Sequence, residues 1–151
     1  MKTYHNFMSE TDEKVKKKLL DIRDSTTLKV RVDDTDLMQV VHFKNYLMYF
    51  DQGFVSFMDG ITQGVSKCVE QGIVFPVKRI EIIYENSAKF GDTVLIETQV
   101  KEIGKKSITF LHDLYRVSDK ALLAKVESVR LAMNWNTKQL LNIIEFFAEY
   151  L

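Results

Sequence analysis

The feature that most limits how this chain can fold is an apolar stripe between Asn45 and Gly60. Tyr46, Leu47, Phe50, Phe54, Phe57 and Met58 recur at three- and four-residue spacings, the period of an α-helix. A stripe this broad and aromatic belongs to a helix buried along most of its length, not one lying on a surface. Gly60 is expected to end it.

The remaining segments supply strands to surround such a helix. Ahead of it, "TLKVRVD" alternates, with Leu28, Val30 and Val32 on one side and Lys29, Arg31 and Asp33 on the other; this reads as a half-buried strand. Beyond it, "ITQGVSKCVEQG" reads as a short helix or loop punctuated by glycine. Residues 73–86 alternate around Ile80, Ile82 and Tyr84, and the single proline, Pro76, falls where an edge or a bulge tolerates it. After the turn "KFGD", Val94, Ile96 and Val100 alternate with Glu97, Gln99 and Lys101. "GKK" leads into "SITFLHDLYRV", and "SDK" into a strand over roughly residues 121–135. The tail, residues 136–151, is expected to be helical from Lys138 on, with Leu140, Leu141, Ile144 and Phe147 on its apolar side. Residues 9–24 form either a short amphipathic helix through Val15, Leu19 and Ile22 or a charged, frayed extension.

Strands joined by short turns pair antiparallel. The fold expected is therefore α+β, a long central helix wrapped by a curved antiparallel five-stranded sheet. One domain is expected over residues 1–151, with residues 1–26 as an N-terminal extension.

Composition narrows the function. Lys plus Arg equals Asp plus Glu at 21 each, so nothing suggests a nucleic-acid or anionic-membrane partner. Cys68 is the only cysteine, which forbids an internal disulfide and fits a reducing compartment. His5, His42 and His112 are scattered, and no metal site is expected. No signal-peptide core or membrane span is evident. A cytoplasmic protein is expected.

The stretch carrying chemistry is "DTDLMQVVHFKNY", Asp34 to Tyr46. One acid ahead of a helix caps free N–H groups and complements the helix dipole. A calcium loop would need further oxygen ligands and a glycine, and Leu37, Met38 and Val40 supply neither. A Ser-His-Asp triad lacks its nucleophile elbow. Beside the capping reading, which the residue types leave open, stands a second that combines a carboxylate, Asp36, with the outward-pointing N–H groups of the helix start. Those groups polarise a carbonyl oxygen while the acid attacks the carbon or activates water. That is a minimal acyl-transfer site.

"VRVDDTDLMQVVHFKNYLMYFDQGF" resembles the hotdog-fold acyl-CoA thioesterases of the 4-hydroxybenzoyl-CoA thioesterase type, whose wording is close to D-T-D-x-x-G-V-V-x-H-x-x-Y-L-x-Y-F-E. "FPVKRIEIIYENSAKFGDTVLIE" and "KEIGKKSITF" resemble it in the same order, so the likeness covers roughly residues 28–135. It implies a catalytic carboxylate at Asp36, a loop-orienting Asp34 and a carbonyl-polarising backbone N–H at Phe43. It places substrate contacts at His42, Asn45 and Tyr46, and CoA phosphates at Lys105 and Lys106. It implies no cofactor apart from the coenzyme A of the substrate. It also implies a homodimer or homotetramer with the acyl site at a subunit interface.

Gln39 stands where the family has glycine, so a need for positive φ there would strain the loop. Phe43 stands where many members carry the histidine, which here is His42, and the proline common before the "FGD" turn is missing. Asp51, where the family often has an acid, reads as a polar helix position that pairs with a base or lines the pocket. His112 reads as a core or interface histidine, and Cys68 as a packing residue. Two functions follow: an acyl-CoA thioester hydrolase, or a protein that binds acyl-CoA without turnover. Acyl carrier protein thioesters are an alternative substrate.

Overall fold

The computed structural model describes residues 9–151; His5 lies outside them. Its centre is helix α2, Tyr46–Asp59, which buries Tyr46, Tyr49, Phe50, Gly53, Phe54, Phe57 and Met58. Around it runs a five-stranded antiparallel sheet in the order β1-β4-β5-β6-β3. The strands are β1 (Asp24–Lys29), β3 (Val77–Tyr84), β4 (Thr93–Ile103), β5 (Ser107–Arg116) and β6 (Leu122–Leu131). A two-stranded ribbon, β2 (Ile73–Val74) with β7 (Met133–Asn134), sits beside it. The expected hotdog arrangement of one central helix on a five-stranded antiparallel sheet is what forms.

Helix α2 makes its main sheet contacts with β1, β4 and β5. Gly53 allows the close approach. A Cβ there would lie 2.6 Å from Ile96 Cγ2, 2.9 Å from Thr98 Oγ1 and 3.2 Å from His112 Nδ1. Val94, Ile96, Thr98 and Val100 alternate inward on β4, as the period of two requires. Two apolar clusters result. One joins Tyr46, Tyr49 and Phe50 to Val94, Ile96 and Leu114. The other joins Phe54, Phe57 and Met58 to Phe110, Cys68, Val15, Leu19 and Phe147. Large side chains such as these contribute roughly 1.5–3 kcal/mol each when fully buried.

The N-terminal segment is helix α1, Glu10–Asp21, capped by Ser9 and packed through Val15 and Leu19. Lys18 Nζ donates to the Leu151 carbonyl at 2.7 Å, tying both ends of the described chain together. Helix α3, Val65–Glu70, buries Cys68.

Four boundaries differ from expectation. Strand β1 starts at Asp24, inside the supposed extension of residues 1–26, because Asp24 already pairs with Thr98. It stops at Lys29, short of Asp33: Val32–Asp34 forms a 3-10 turn, leaving Val32 62% exposed. The last long strand breaks after Leu131 into β6 and the short β7. Helix α4 covers only Ile143–Ala148, not the expected residues 136–151. The Asn134 carboxamide accepts the N–H groups of Asn136 and Thr137 at 2.9 and 3.1 Å, and Lys138 adopts φ 62°. Those local bonds favour a turn over helix.

His112 is fully buried in the inner layer, its Nδ1 2.8 Å from Thr98 Oγ1. Burial, reinforced by the charge of Arg130, lowers its pKa from 6.5 to about 3.

Two outcomes follow. Gly53→Ala should lose about 1–3 kcal/mol in urea unfolding through overpacking. Gly60→Ala, whose new Cβ meets nothing nearer than 3.5 Å, should be neutral or better. The depressed folded pKa of His112 means its stabilising effect is complete above pH 6.5 and is lost as pH falls toward the folded value. Unfolding midpoints should therefore decline between pH 7 and 5, with a slope of at most about 1.4 kcal/mol per pH unit, and His112→Gln should flatten that decline.

Candidate active site

The segment from Arg31 to Tyr46 is built around the buried carboxylate of Asp34, 2% exposed. Its Oδ2 accepts the Arg31 backbone N–H at 3.0 Å and the Tyr49 hydroxyl at 2.9 Å. Its Oδ1 accepts Arg31 Nη2 at 3.3 Å. Burial alone would raise the pKa of Asp34. The donors from the Arg31 backbone, the Tyr49 hydroxyl and the Arg31 guanidinium together outweigh it and hold the pKa below the ordinary value. Burial and the facing carboxylate push the Tyr49 phenol the other way, up. The main-chain carbonyl of Asp34 accepts Asn45 Nδ2 at 2.7 Å and the His42 N–H at 3.0 Å. One residue thus ties the turn, the loop and the helix start together.

Residues 35–41 form a small hairpin. Thr35 bridges to Val41, the Asp36 N–H donates to the Val40 carbonyl at 2.9 Å, and the Gln39 N–H donates to the Asp36 carbonyl at 2.9 Å. Such a three-residue loop places its last residue in the left-handed region, and Gln39 has φ 65°. This is the place where the resembling sequences carry glycine. Here a glutamine with an exposed side chain adopts the same conformation. Asp36 Oδ1 accepts the Met38 N–H at 2.8 Å, which fixes the carboxylate in an Asx turn. Its other oxygen has no hydrogen-bond partner among the described residues.

The helix begins with a 3-10 turn, Phe43–Asn45, capped by His42, whose Nδ1 accepts the Lys44 N–H at 3.3 Å. The Phe43 N–H has no acceptor among the described residues, as the first donors of a helix do not. Its carbonyl accepts the Tyr84 hydroxyl at 3.2 Å, pinning the helix start to the sheet. The Phe43 ring meets Tyr84 edge-on, with centroids 6.4 Å apart, and stacks on His42 at 4.6 Å.

The structure therefore sets Asp36 in the hairpin and His42, Phe43, Asn45 and Tyr46 at the helix start that follows it. Asn45 and Tyr46 are buried there and engaged in holding it: Asn45 grips Asp34, and the Tyr46 hydroxyl accepts the Ala88 N–H at 3.1 Å. Lys105 and Lys106 are elsewhere. They occupy the β4–β5 turn, whereas the hairpin contacts the chain just before β4, where the Val41 N–H donates to the Ala88 carbonyl. Strand β4 spans 11 residues, roughly 35 Å at the usual rise. The Lys105 carbonyl accepts the Ile143 N–H at 2.9 Å and Lys106 Nζ donates to the Leu140 carbonyl at 3.4 Å, so both belong to the docking of the tail.

Two participants had no signal in the sequence. Tyr84 reads there only as a strand position and Tyr49 does not stand out at all, and their hydroxyls cross 41 and 15 positions of chain. Asp51 does pair with a base: Arg130 Nη2 donates to its Oδ1 at 2.6 Å. Among the described residues no group of three or more His, Cys, Asp or Glu is arranged to hold a metal, and no helix is long and apolar enough to cross a membrane.

A central helix seated on a five-stranded antiparallel sheet defines a hotdog domain. Residues 30–151 match the family model of the thioesterase-like superfamily, and the chain belongs to that family. It is 30% identical over 99 residues to the acyl-CoA thioesterase YbgC of Haemophilus influenzae, spanning 65% of this chain and 73% of that protein. It is 30% identical over 94 residues to YbgC of Helicobacter pylori, spanning 62% and 68%. Two solved structures establish the fold. A DHNA-CoA thioesterase from Staphylococcus aureus superposes with TM-score 0.78 at 17% identity, covering 85% of each chain. The 4-hydroxybenzoyl CoA thioesterase from Pseudomonas sp. strain CBS-3 superposes with TM-score 0.76 at 21% identity, covering 85% of this chain and 99% of that one.

The left-handed Gln39 generates a test. Left-handed backbone costs a non-glycine residue roughly 1–2 kcal/mol, partly offset by the greater freedom of glycine in the unfolded chain. Gln39→Gly should raise stability by about 0.5–1 kcal/mol in chemical denaturation, whereas Gln39→Val should lower it.

Proposed function

We propose that this chain hydrolyses an acyl-CoA thioester to the free acid and coenzyme A. The observation that carries the reading is the pairing of a fixed carboxylate with one open oxygen, Asp36, with an unpartnered N–H at the helix start, Phe43. The thioester carbonyl oxygen rests on the Phe43 N–H, which stabilises the negative charge that develops there. As general base, Asp36 takes a proton from water; the hydroxide adds to the carbonyl carbon; the tetrahedral intermediate collapses, the C–S bond breaks, and the proton passes to the departing thiolate. As nucleophile, Asp36 instead forms an acyl anhydride with loss of the thiolate, and water then cleaves it. Coenzyme A enters as part of the substrate, and the scheme uses no other cofactor. His42, Asn45 and Tyr46 shape the carbonyl end of the site.

Strand β3 supports a homodimer. It pairs with β6 on one side, and all eight of its residues are partly or largely exposed. An edge of that length pairs with another strand unless something prevents it, and a second copy of β3 joins two sheets into one. A homotetramer is a pair of such dimers. Lys105 and Lys106 serve as phosphate contacts only if a neighbouring subunit brings them to the CoA, given their distance along β4. The lone buried Cys68 accords with a cytoplasmic protein.

The left-handed Gln39 turn leaves Asp36 fixed in its Asx turn, which supports turnover over binding alone. A panel of short-chain, long-chain and aromatic acyl-CoAs, followed by thiol release, separates the two. Asp36→Asn should lower kcat by roughly 10²–10⁴-fold on whichever member is cleaved, with the fold intact by circular dichroism. Equal background rates for wild type and Asp36→Asn on every member would leave the binding protein as the answer, and a preference for acyl carrier protein thioesters would change the carrier.

A further inference from the structure

The N–H of Phe43 lies in the peptide between His42 and Phe43, at the first position of a 3-10 turn. Hydrogen bonds in such a turn have poorer geometry than those of the α-helix behind it, and helix ends fray. A donor that must meet a carbonyl oxygen serves only when its direction is fixed, since hydrogen bonds weaken steeply as they bend. Most of what holds His42 and Phe43 is local. The His42 N–H donates to the Asp34 carbonyl at 3.0 Å, and the His42 carbonyl accepts the Asn45 N–H at 2.8 Å. The Lys44 N–H turns back to His42 Nδ1, and the Tyr46 N–H reaches the Phe43 carbonyl. These partners belong to the same loop and first turn and move with it.

One bond is different. Tyr84, the last residue of β3, donates its hydroxyl to the Phe43 carbonyl at 3.2 Å. Among the described residues it is the one side chain of the sheet that hydrogen-bonds to His42 or Phe43. Its ring stands edge-on to Tyr46 at 5.4 Å and to Phe43 at 6.4 Å, and these contacts set the hydroxyl in place. In a helical turn the C=O and the N–H of one residue point in opposite directions along the axis. A grip on the Phe43 carbonyl from the sheet therefore aims the Phe43 N–H the other way, out of the helix start. Tyr84 is 46% exposed, so water alone would satisfy its hydroxyl. An exposed bond of this kind adds little net stability. What it adds is direction.

We infer that Tyr84 is a positioning residue for the thioester carbonyl: it fixes the Phe43 carbonyl from the sheet and thereby aims the Phe43 N–H at the substrate oxygen. This rests on the thioester reading above. Tyr84 itself touches no reacting atom. Its effect appears where charge develops on the oxygen, because a hydrogen bond to a growing negative charge is stronger than one to a neutral carbonyl and loses more when misaligned. The turnover number carries that loss, and ground-state binding does not.

The test uses Tyr84→Phe, which keeps the ring contacts and removes only the hydroxyl. Its circular dichroism and urea midpoint should match wild type. On the member of the acyl-CoA panel cleaved fastest, kcat should fall by about 10–100-fold, less than the loss of the donor itself, with KM unchanged within about twofold. A second readout does not depend on turnover. In Asp36→Asn, a bound acyl-CoA isotopically labelled at its thioester carbonyl carbon should resonate downfield of the free thioester by NMR, as polarisation by an N–H requires. Adding Tyr84→Phe should return that resonance toward the free value. A raised KM at unchanged kcat, the mark of a direct substrate contact, would overturn the inference. So would a carbonyl resonance that loss of the hydroxyl does not move, or a lowered urea midpoint that accounts for the lost activity. Hydrolysis by wild type with equal kcat in Tyr84→Phe sinks the positioning role alone and keeps the hydrolase. No hydrolysis of any member by wild type, with a downfield carbonyl that Tyr84→Phe relaxes, sinks the hydrolase reading and keeps the positioning residue.

Discussion

Everything at the helix entrance depends on one desolvated carboxylate. Asp34 is buried and charged, a combination that folds only when the acceptor capacity of the group is filled. Arg31 and Tyr49 fill it from opposite directions. Meanwhile its own carbonyl holds Asn45 and the His42 N–H. The result is directional in a way apolar contact is not. Hydrophobic burial presses α2 onto the sheet but leaves it free to slide; the bonds to Asp34 fix where along its axis the helix begins. The free N–H of Phe43 and the hairpin of Asp36 are both measured from that beginning, so the proposed site takes its geometry from Asp34.

The sheet side applies a second constraint. Gly53 lets α2 lie against β4 and β5, and beside Ile96 two of its neighbours there are polar, Thr98 and His112. A polar pair under a helix, with His112 held neutral by burial and the charge of Arg130, is less forgiving than an all-apolar contact, because it tolerates neither water nor displacement. Tyr84, reaching from β3 to the Phe43 carbonyl, adds a third fixed point. The turn at Asp34, the strands β4 and β5 beneath Gly53 and the strand β3 at Tyr84 thus hold the helix at separate points.

Much of this was legible in the sequence. The stripe from Tyr46 to Met58 announced the buried helix, and the alternation from Thr93 onward announced β4, because burial writes a period into apolar positions. The aspartates of "DTD" and the acid at Asp51 were visible as candidates for the same reason, being charges beside apolar runs. Local hydrogen bonds left no such mark. The Asn134 side chain stopping the tail helix and the early end of β1 at Lys29 depend on which donor wins a competition between nearby acceptors. Long-range pairs were hidden altogether. Tyr49 with Asp34, Tyr84 with Phe43 and Arg130 with Asp51 exist only once the sheet has folded. For Lys105 and Lys106 the resemblance implied phosphate contacts, and the length of β4 separates them from the helix entrance of their own subunit.

The glutamine at position 39 has a wider meaning. Its φ of 65° shows that the hairpin bonds around Asp36, not the identity of the residue, dictate the backbone there. A surface turn that imposes its own dihedral can exchange glycine for a side chain at the expense of about one-tenth of a typical domain's stability margin. Chains that a strict pattern would set aside for lacking the glycine remain eligible on conformational grounds, and the exposed side chain so gained becomes raw material for contacts at the mouth of the site.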